Sequence, residues 1–370
     1  MIRYEEIQMK INEIQRDKLK HTLLGEEDYL FLINDNNNEL DQHFNQDYKN
    51  LFNAEEFSEH YNFKKELFSK YNIGYYYFIV PDKSVVCRDL LPFDSSYLKR
   101  NIDLVEDAID FTDCLTKNDY FKYDSHINYE GARKLTYKFI NYIDNNFTIE
   151  EYNELINNAD THEITKTLDL VHEINWSYSD ELKKNFPTTI TKQVPKNSSL
   201  INKDIPIMFE RVRKRKSAYL RNDDSYSDLR VLVLCGSSFN IFKNYLMLYF
   251  KELFFYWDHG HINPEVIMWF EPDIIIELRA ERYLEKIPVP DYVSNKEELN
   301  LTNANFINKL QNKSKKQNNK IKQLKRELKK QNNKINQLKR ELDNKDKKLN
   351  EILNSNSWKI TKPLRKIRNR

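Results

Sequence analysis

Short runs of apolar residues alternate with amphipathic segments between residues 24 and 284. An unbroken apolar run is typical of a buried strand, whereas apolar residues three and four apart indicate a helix. The runs that predict strands are "DYLFLIN", "YYYFIV", "RVLVLC", "FFYW" and "DIIIEL". The segments that predict helices are "FSEHYNFKKELFSKYNIG", with Gly74 as its C-terminal cap, "GARKLTYKFINYIDNNF" and "FNIFKNYLMLYFKELF". This alternation predicts an α/β fold with a parallel sheet.

The C-terminal region has a different pattern, in which "QNNKIKQLKRELKK" is followed by the near-identical "QNNKINQLKRELDN". The repeat is two heptads long, which predicts a left-handed coiled coil and a homo-oligomer, either a dimer or a trimer. Its apolar a positions are Ile321, Leu328, Ile335, Leu342 and Leu349. Its d positions hold Leu324, Leu338 and Ile352 but also Gln317, Gln331 and Lys345. A single solvated helix is the alternative, because lysine is dense here.

These patterns divide the chain into four predicted segments. They are a helical extension over 1–20, the α/β domain over 21–295, the coiled coil over 296–356 and a basic tail over 357–370. Within the domain, the polar stretch 148–228 contains few recognisable elements, and we interpret it as an insertion or a cap.

Charge separates the body from its C-terminal region. Of the 59 Lys+Arg and 57 Asp+Glu residues, 22 and 5 fall within 301–370, which leaves an acidic body. The basic region is therefore expected to meet an anionic partner. The sequence contains no recognisable signal peptide. It also contains no apolar stretch that approaches the length of a membrane span, which is ~20 residues. Together with three widely spaced cysteines, this predicts reduced thiols and a location in the cytoplasm or at the periphery of a membrane.

Two short motifs carry the candidate chemistry. In "VLVLCGSSFN" a strand ends at a Gly-Ser-Ser turn before a helix, where backbone N–H groups and the helix dipole would stabilise an oxyanion. In "YFKYDSHINYEGARKL", Asp124 precedes His126 at a spacing that lets a carboxylate orient an imidazole. Simple helix capping is the alternative for both motifs.

Five motifs, in this order from Leu24 to Leu284, resemble the SGNH hydrolase-like domain of the alginate O-acetyltransferases (the AlgX/AlgJ type). They are "GEEDYLFLI", "FIVPDKSVVCRDLLP", "YDSHINYEGA", "VLVLCGSSF" and "EPDIIIELRAERYL". The resemblance implies a permuted SGNH-like, flavodoxin-like three-layer domain. It places the nucleophile at Ser238, the general base at His126 and the residue that orients it at Asp124. Ser237 stands where many relatives have Asp.

Further site residues follow from the same motifs. An oxyanion hole needs converging donors, and the backbone N–H of Ser238 and Gly260 are the candidates. Asn128 follows His126 at the family's spacing and is therefore a candidate for contact with the oxyanion or the substrate. Arg282 is a second candidate, because it lies in "ELRAERYL", where ordinary SGNH enzymes place an Asn. Two other histidines, at 259 and 261, could bind a metal, but no further ligands lie near them in the sequence. We therefore predict no metal and no cofactor, with acetyl-CoA as a conceivable acyl donor.

The tail, "NSNSWKITKPLRKIRNR", mixes Trp358 and aliphatic residues with lysine and arginine, and it resembles tails found on polysaccharide glycosyltransferases. Such a composition suits an anionic membrane surface or contact with glycan-assembly proteins. No nucleic-acid motif accompanies it, so nucleic acid is not expected as a partner. A disordered basic terminus is the alternative.

The leading hypothesis is a carbohydrate O-acetyltransferase or acetylesterase that acts on a surface polysaccharide, or on its precursor, through an acyl-serine. A sequence does not separate the two activities, because they differ in whether the site excludes water. The alternative is a catalytically inactive SGNH-like scaffold that binds glycan and oligomerises at a membrane.

Overall fold

The computed structural model describes residues 3, 6, 22–34, 37–106, 109–172, 186–196, 201–212, 215–257, 263–286, 289–355 and 359. The predicted helical extension and the predicted basic tail lie almost wholly outside these residues. The chain forms two compact units, Met1–Thr302 and Asn303–Arg370.

Twelve strands and nine α-helices are found in the described residues. The strands are β1 Thr22–Leu24, β2 Leu30–Leu32, β3 Gly74–Val80, β4 Asp160–Thr167, β5 Thr189–Lys196, β6 Ile201–Asn202, β7 Arg211–Val212, β8 Arg215–Lys216, β9 Ala218–Arg221, β10 Ser227–Cys235, β11 Phe250–Tyr256 and β12 Ile274–Ala280. The helices are α1 Glu39–Phe44, α2 Ala54–Ser69, α3 Lys83–Val86, α4 Tyr129–Ile143, α5 Ile149–Asn158, α6 Asp169–His172, α7 Phe239–Tyr249, α8 Pro264–Phe270 and α9 Val289–Asn354.

The central sheet has six strands in the order β3-β12-β10-β11-β9-β6. The first four are parallel, with Val231 of β10 between Ile274 of β12 and Leu253 of β11, and β9 and β6 add antiparallel pairs at one edge. Buried parallel strands read as continuous apolar runs, which is the pattern of "RVLVLC" and "DIIIEL". The predicted α/β class with a mainly parallel sheet, followed by a long C-terminal helix, is confirmed.

Helices cover both faces of β3, which gives three layers. Successive side chains of a strand point to opposite faces. The ring of Phe78 stacks on Phe139 of α4, with ring centroids 4.4 Å apart. The ring of the preceding residue, Tyr77, contacts Phe57 of α2 on the other face, with ring centroids 5.1 Å apart. Alternate aromatic residues of "YYYFIV" therefore hold one helix on each face of the sheet.

Two predicted boundaries differ from the structure. The helix predicted over 239–254 ends at Tyr249, and Phe250 begins β11. Apolar residues continue across this junction without a glycine or proline, so their spacing alone does not mark it. Gly74 is the first residue of β3 and not a helix cap. The left-handed position after α2 belongs to Asn72, with φ of 58°, a conformation that Asn tolerates better than most side chains.

The stretch 148–228, interpreted from the sequence as an insertion or a cap, contributes to the body in two ways. β6 and β9 extend the central sheet. β4 and β5 form a separate antiparallel hairpin in which Asp160 lies opposite Lys196 and Thr167 opposite Thr189. Leu168 and Val194 belong to the main hydrophobic core, so the hairpin is anchored to the body and brings its polar side chains with it.

The C-terminal helix α9 runs without interruption from Val289 to Asn354. Its apolar a and d side chains are exposed in the single chain, from 47% for Ile321 to 59% for Leu342. No helix among the described residues combines the length and the apolar character that crossing a membrane requires.

Candidate active site

The turn after β10 presents a hydroxyl at the start of α7. The strand ends at Cys235, and α7 begins at Phe239 with Ser238 as its N-cap residue. Ser237 is exposed, whereas Ser238 is half-buried. Ser238 already has helical angles, φ −58° and ψ −25°, and its carbonyl accepts the N–H of Ile241 at 2.9 Å. The two neighbouring serines therefore point in different directions.

The hydroxyl of Ser237 meets the imidazole of His126. Ser237 Oγ lies 2.8 Å from His126 Nε2, and Asp124 Oδ1 lies 2.8 Å from His126 Nδ1 on the other side of the ring. This chain of hydrogen bonds places the ring proton on Nδ1 and the lone pair of Nε2 toward the serine. Serine, histidine and aspartate are thus connected in the order that a serine nucleophile needs.

A second carboxylate also faces the histidine. Asp169, at the start of α6, places Oδ2 3.3 Å from His126 Nδ1. It accepts the backbone N–H of Ser125 at 2.8 Å and the Ser125 hydroxyl at 2.6 Å. The backbone N–H of Asp169 in turn donates to Asp124 Oδ2 at 2.9 Å. The two carboxylates are therefore fixed relative to each other as well as to the ring.

Lys166, at the end of β4, donates to Asp124 Oδ2 through its ammonium group. The carboxylate of Asp124 is fully buried, and a buried charge needs such partners. Lys166 and Asp169 both come from the stretch that the sequence suggested as an insertion or a cap. This stretch therefore supplies two of the groups that surround His126.

The neighbouring carboxylates make the imidazole of His126 a stronger base. Burial of the His126 imidazole lowers its pKa, but the hydrogen bonds that Asp124 and Asp169 accept from the ring outweigh burial and raise the pKa above 6.5. Burial raises the pKa of each of the two carboxyl groups, Asp124 and Asp169, but the hydrogen bond with His126 outweighs burial and lowers each pKa below its usual value of 3.8. Both carboxyl groups are therefore ionised when the imidazole titrates.

Lys83 supports the loop that carries Asp124. Its side chain is buried, and its ammonium donates to the backbone carbonyls of Leu30 (2.6 Å), Phe121 (2.7 Å), Lys122 (3.0 Å) and Asp124 (3.2 Å). Desolvation by burial lowers the pKa of Lys83 to about 8. One side chain from α3 thus ties β2 to the residues that lead into the Asp-x-His turn.

The predicted contacts of the site residues are present in the structure for some residues and not for others. It joins Asp124 to His126, but His126 bonds to Ser237 where we expected Ser238. The reason is helical rotation: the residue one step into the helix points about 100° away from its neighbour. Among the described residues, no acceptor takes the backbone N–H of Ser237 or Ser238, so both remain candidate oxyanion donors. Gly260 lies outside the described residues, as do the two histidines beside it.

Asn128 and Arg282 are engaged elsewhere. The amide oxygen of Asn128 caps α4 by accepting the N–H groups of Glu130 and Gly131. Its amide nitrogen donates to the carbonyl of Asn118 at 2.7 Å. Arg282 forms a buried cluster with Asp82 and Glu39, and its backbone N–H donates to Asp82 at 2.7 Å. Both residues therefore stabilise the structure around the site through contacts within the chain.

Three side chains at the site could also face a metal ion. Asp124, His126 and Asp169 each offer one ligand atom, and these atoms lie within 4.8 Å of one another. The Nδ1 atom of His126 is, however, the atom that both carboxylates contact, and Lys166 already neutralises part of their charge. The cluster is thus satisfied by hydrogen bonds and ion pairs within the chain.

Sequence reasoning set Ser237 aside in favour of Ser238, and it missed Lys166, Asp169 and Lys83. For Lys83 a signal existed, since it stands in the "VPDK" of a quoted motif and follows a predicted strand. Asp169 and Lys166 lie in a polar stretch with no recognisable pattern. Their role depends on the pairing of β4 with β5, which the sequence does not reveal.

Comparison with known proteins gives matches to solved structures only. No protein-family model matches the chain, and no curated protein matches its sequence. Bacillus cereus PatB1 is similar at 14% identity and a TM-score of 0.45, covering 71% of this chain and 96% of that chain. The O-acetyltransferase domain of Pseudomonas putida AlgJ is similar at 14% identity and a TM-score of 0.39, covering 72% and 93%.

Pseudomonas aeruginosa AlgX is similar at 15% identity and a TM-score of 0.42, covering 72% of this chain and 63% of that chain. The structural comparison therefore finds proteins of the type that the sequence motifs resemble. At this level of identity and TM-score, the matches assign no chemistry to individual residues of this chain.

Proposed function

We propose that the protein is a serine-dependent acyltransferase or esterase in which Ser237 carries the acyl group. The supporting observation is the hydrogen-bonded chain from Ser237 Oγ through both nitrogens of His126 to Asp124, with two contacts of 2.8 Å. A serine hydroxyl alone is a weak nucleophile, and an adjacent oriented imidazole is what activates it.

In the first half-reaction, Ser237 Oγ attacks the carbonyl carbon of an acyl ester or thioester, and its proton moves to His126 Nε2. The bond between the acyl carbon and the leaving group breaks, and His126 returns the proton to the leaving group. Asp124 stabilises the imidazolium that forms in between. The free N–H groups at the start of α7 are the donors we propose for the developing oxyanion.

In the second half-reaction, His126 takes the proton of an acceptor hydroxyl, whose oxygen attacks the acyl carbon. The bond from this carbon to Ser237 Oγ breaks, and His126 returns the proton to the serine oxygen. The acceptor is water in an esterase and a sugar hydroxyl in a transferase. We propose a carbohydrate O-acetyltransferase or acetylesterase acting on a surface polysaccharide or its precursor, as the sequence motifs suggest. These steps need no cofactor, and the acyl donor, such as acetyl-CoA, enters as a substrate.

Neighbouring serines provide a matched test. Hydrolysis of p-nitrophenyl acetate and covalent labelling by phenylmethanesulfonyl fluoride are measured for wild type, Ser237→Ala and Ser238→Ala. We expect Ser237→Ala to lose about 10³-fold or more in kcat/KM and to lose the sulfonyl mass increment. We expect Ser238→Ala to keep both.

If Ser238→Ala lost rate and labelling while Ser237→Ala kept both, Ser238 would be the nucleophile. If both variants matched the wild type in rate and labelling, the acyl-serine proposal would fail. The non-catalytic scaffold would then be the better reading. Circular dichroism of both variants is the control for a change in fold.

A further inference from the structure

A pocket of about 420 Å³ lies beside the candidate active site and contains none of the Ser237–His126–Asp124 side chains. It is bounded by residues 118–122, the start of α4, part of β5 and the middle of α7. Its volume falls within the range of pockets that hold small molecules. The β5 wall belongs to the same hairpin that provides Lys166.

Two tyrosines give the pocket unused hydrogen-bonding groups. Tyr129 and Tyr245 line it, and their side chains are buried, with only 7% and 5% of the residues exposed. Among the described residues, neither phenol oxygen has a hydrogen-bond partner within the chain, and neither is a buried unsatisfied atom, so both are accessible to a ligand. Burial raises the pKa of both phenols, so they are neutral donors at pH 7.

The remaining walls combine aromatic surface with polar groups. Phe121 packs edge-to-face against Tyr129, with ring centroids 5.7 Å apart. Gln193 and Lys192 on β5 are exposed at the rim, as is Glu130, which is paired with Arg133 at 2.6 Å. An aromatic surface accepts the C–H face of a sugar ring, while phenol, amide and ammonium groups bind its hydroxyls. Lys122 also lines the pocket, and because Glu130 is paired with Arg133, the two lysines leave the rim with a positive charge that favours an acidic sugar unit.

Phe121 joins this pocket to the catalytic residues. Its backbone N–H donates to the carbonyl of His126 at 3.2 Å, and its ring lies 5.5 Å from the ammonium of Lys166. Lys166 in turn binds Asp124. Phe121 thus contacts both the pocket and the groups that surround His126.

We propose that this pocket binds one sugar unit of a glycan acceptor while a neighbouring unit presents its hydroxyl at Ser237. This inference rests on the proposed function, because it makes the acceptor a chain of at least two units. Tyr129, Tyr245 and Phe121 would then determine specificity for acceptor length.

Binding of sugars to the Ser237→Ala protein tests the inference without turnover. Isothermal titration calorimetry is done with one-, two- and four-unit members of the cello-, chito- and uronic-acid oligosaccharide series. We expect at least one series to bind tenfold or more tightly at two units than at one. Tyr129→Phe and Tyr245→Phe, made in the same background, should each weaken binding of the longer sugar about fivefold or more.

Tyr137→Phe is the matched control, because Tyr137 lies on the same helix but packs against Tyr152 and does not line the pocket. Its affinity should equal that of the parent. Absence of binding in every series, no gain with length, or no effect of the two pocket variants would overturn the inference. Displacement of the sugar by coenzyme A would instead assign the pocket to the donor and would also overturn it.

These measurements are independent of the acyl-serine. If Ser237 is labelled and hydrolyses p-nitrophenyl acetate but sugars bind independently of the pocket, only the inference fails. If Ser237 is inert while length-dependent binding is retained, the proposed function fails and the glycan site stands.

Discussion

His126 is bound by two carboxylates that differ in their surroundings. The Asp124 side chain is fully buried and also bound by Lys166, whereas the Asp169 side chain is 38% exposed. Asp124 is the nearer of the two, 2.8 Å from Nδ1 against 3.3 Å for Asp169. We infer that Asp124 orients the ring, while Asp169 mainly adds negative charge that favours the imidazolium.

This division of roles predicts a change in pH dependence. The base form of His126 is the neutral imidazole, so kcat/KM for p-nitrophenyl acetate should rise as the pH passes through its raised pKa. Removing one of the charges that raise this pKa lowers it. The rising limb of the profile for Asp169→Asn should therefore move to lower pH. Asp124→Asn should instead lose about 10³-fold or more at every pH, because the ring loses its orientation.

Asp160→Asn is the control for Asp169→Asn. Asp160 lies exposed at the far end of β4, so its variant should keep the wild-type profile. A limb that stays in place in Asp169→Asn, or moves to higher pH, would contradict the assigned role of Asp169.

At the scale of elements, the site is assembled from parts of the chain that are far apart. The Gly-Ser-Ser turn follows a core strand, and the Asp-x-His turn precedes α4. The β4–β5 hairpin and α6 add Lys166 and Asp169. Gly131, in the first turn of α4, permits the close packing here, since a Cβ at this position would lie 2.5 Å from the carbonyl oxygen of Asp119. Lys83 then connects this loop to β2.

The loss of this connection should affect both stability and activity. In Lys83→Met, four backbone carbonyls, including that of Asp124, lose the ammonium as a donor, and of these the carbonyl of Lys122 still accepts the N–H of Leu30 at 2.9 Å. An unsatisfied buried polar group costs about 1–3 kcal/mol, so the free energy of unfolding should fall by at least about 2 kcal/mol. We also expect kcat for p-nitrophenyl acetate to fall tenfold or more at temperatures where the variant is folded, because Asp124 and His126 shift.

Lys64→Met is a suitable comparison, since Lys64 is another buried lysine and is bonded to Glu277 on the sheet. Its loss should reduce the free energy of unfolding in urea but leave kcat near the wild-type value. Equal losses of kcat in the two variants would show that Lys83 acts only through general stability.

The sequence was informative where one local pattern determines a structure. Apolar runs identified the core strands, and the Asp-x-His spacing identified a carboxylate–imidazole pair that forms within one turn. The choice between Ser237 and Ser238 depends on the residue at which the helix begins, because a shift of this start by one residue changes which serine faces His126. Asp169 and Lys166 depend on long-range packing of a polar hairpin, and no local pattern encodes that contact.

At the scale of the whole molecule, the chain carries an apolar stripe along a strongly basic helix. Eight a and d side chains between Ile321 and Ile352 are each about half exposed in the single chain. Regular exposure of this kind at heptad spacing is the arrangement that a second copy covers in a coiled coil. The excess of positive charge opposes association, because residues 301–370 hold 22 Lys+Arg and 5 Asp+Glu. We propose that apolar packing outweighs this repulsion.

Sedimentation equilibrium of the full chain tests this balance. The wild type should have a mass of at least twice 44.8 kDa, and the double variant Ile335→Asp/Leu342→Asp should sediment as a monomer. Asn333→Asp/Asn336→Asp, which introduces the same two charges outside the stripe, should associate like the wild type. Because like charges repel across the interface, association should strengthen as salt is raised from about 0.02 to 0.5 M. A monomeric wild type throughout this range, or an oligomer that survives the double substitution, would exclude the stripe as the interface.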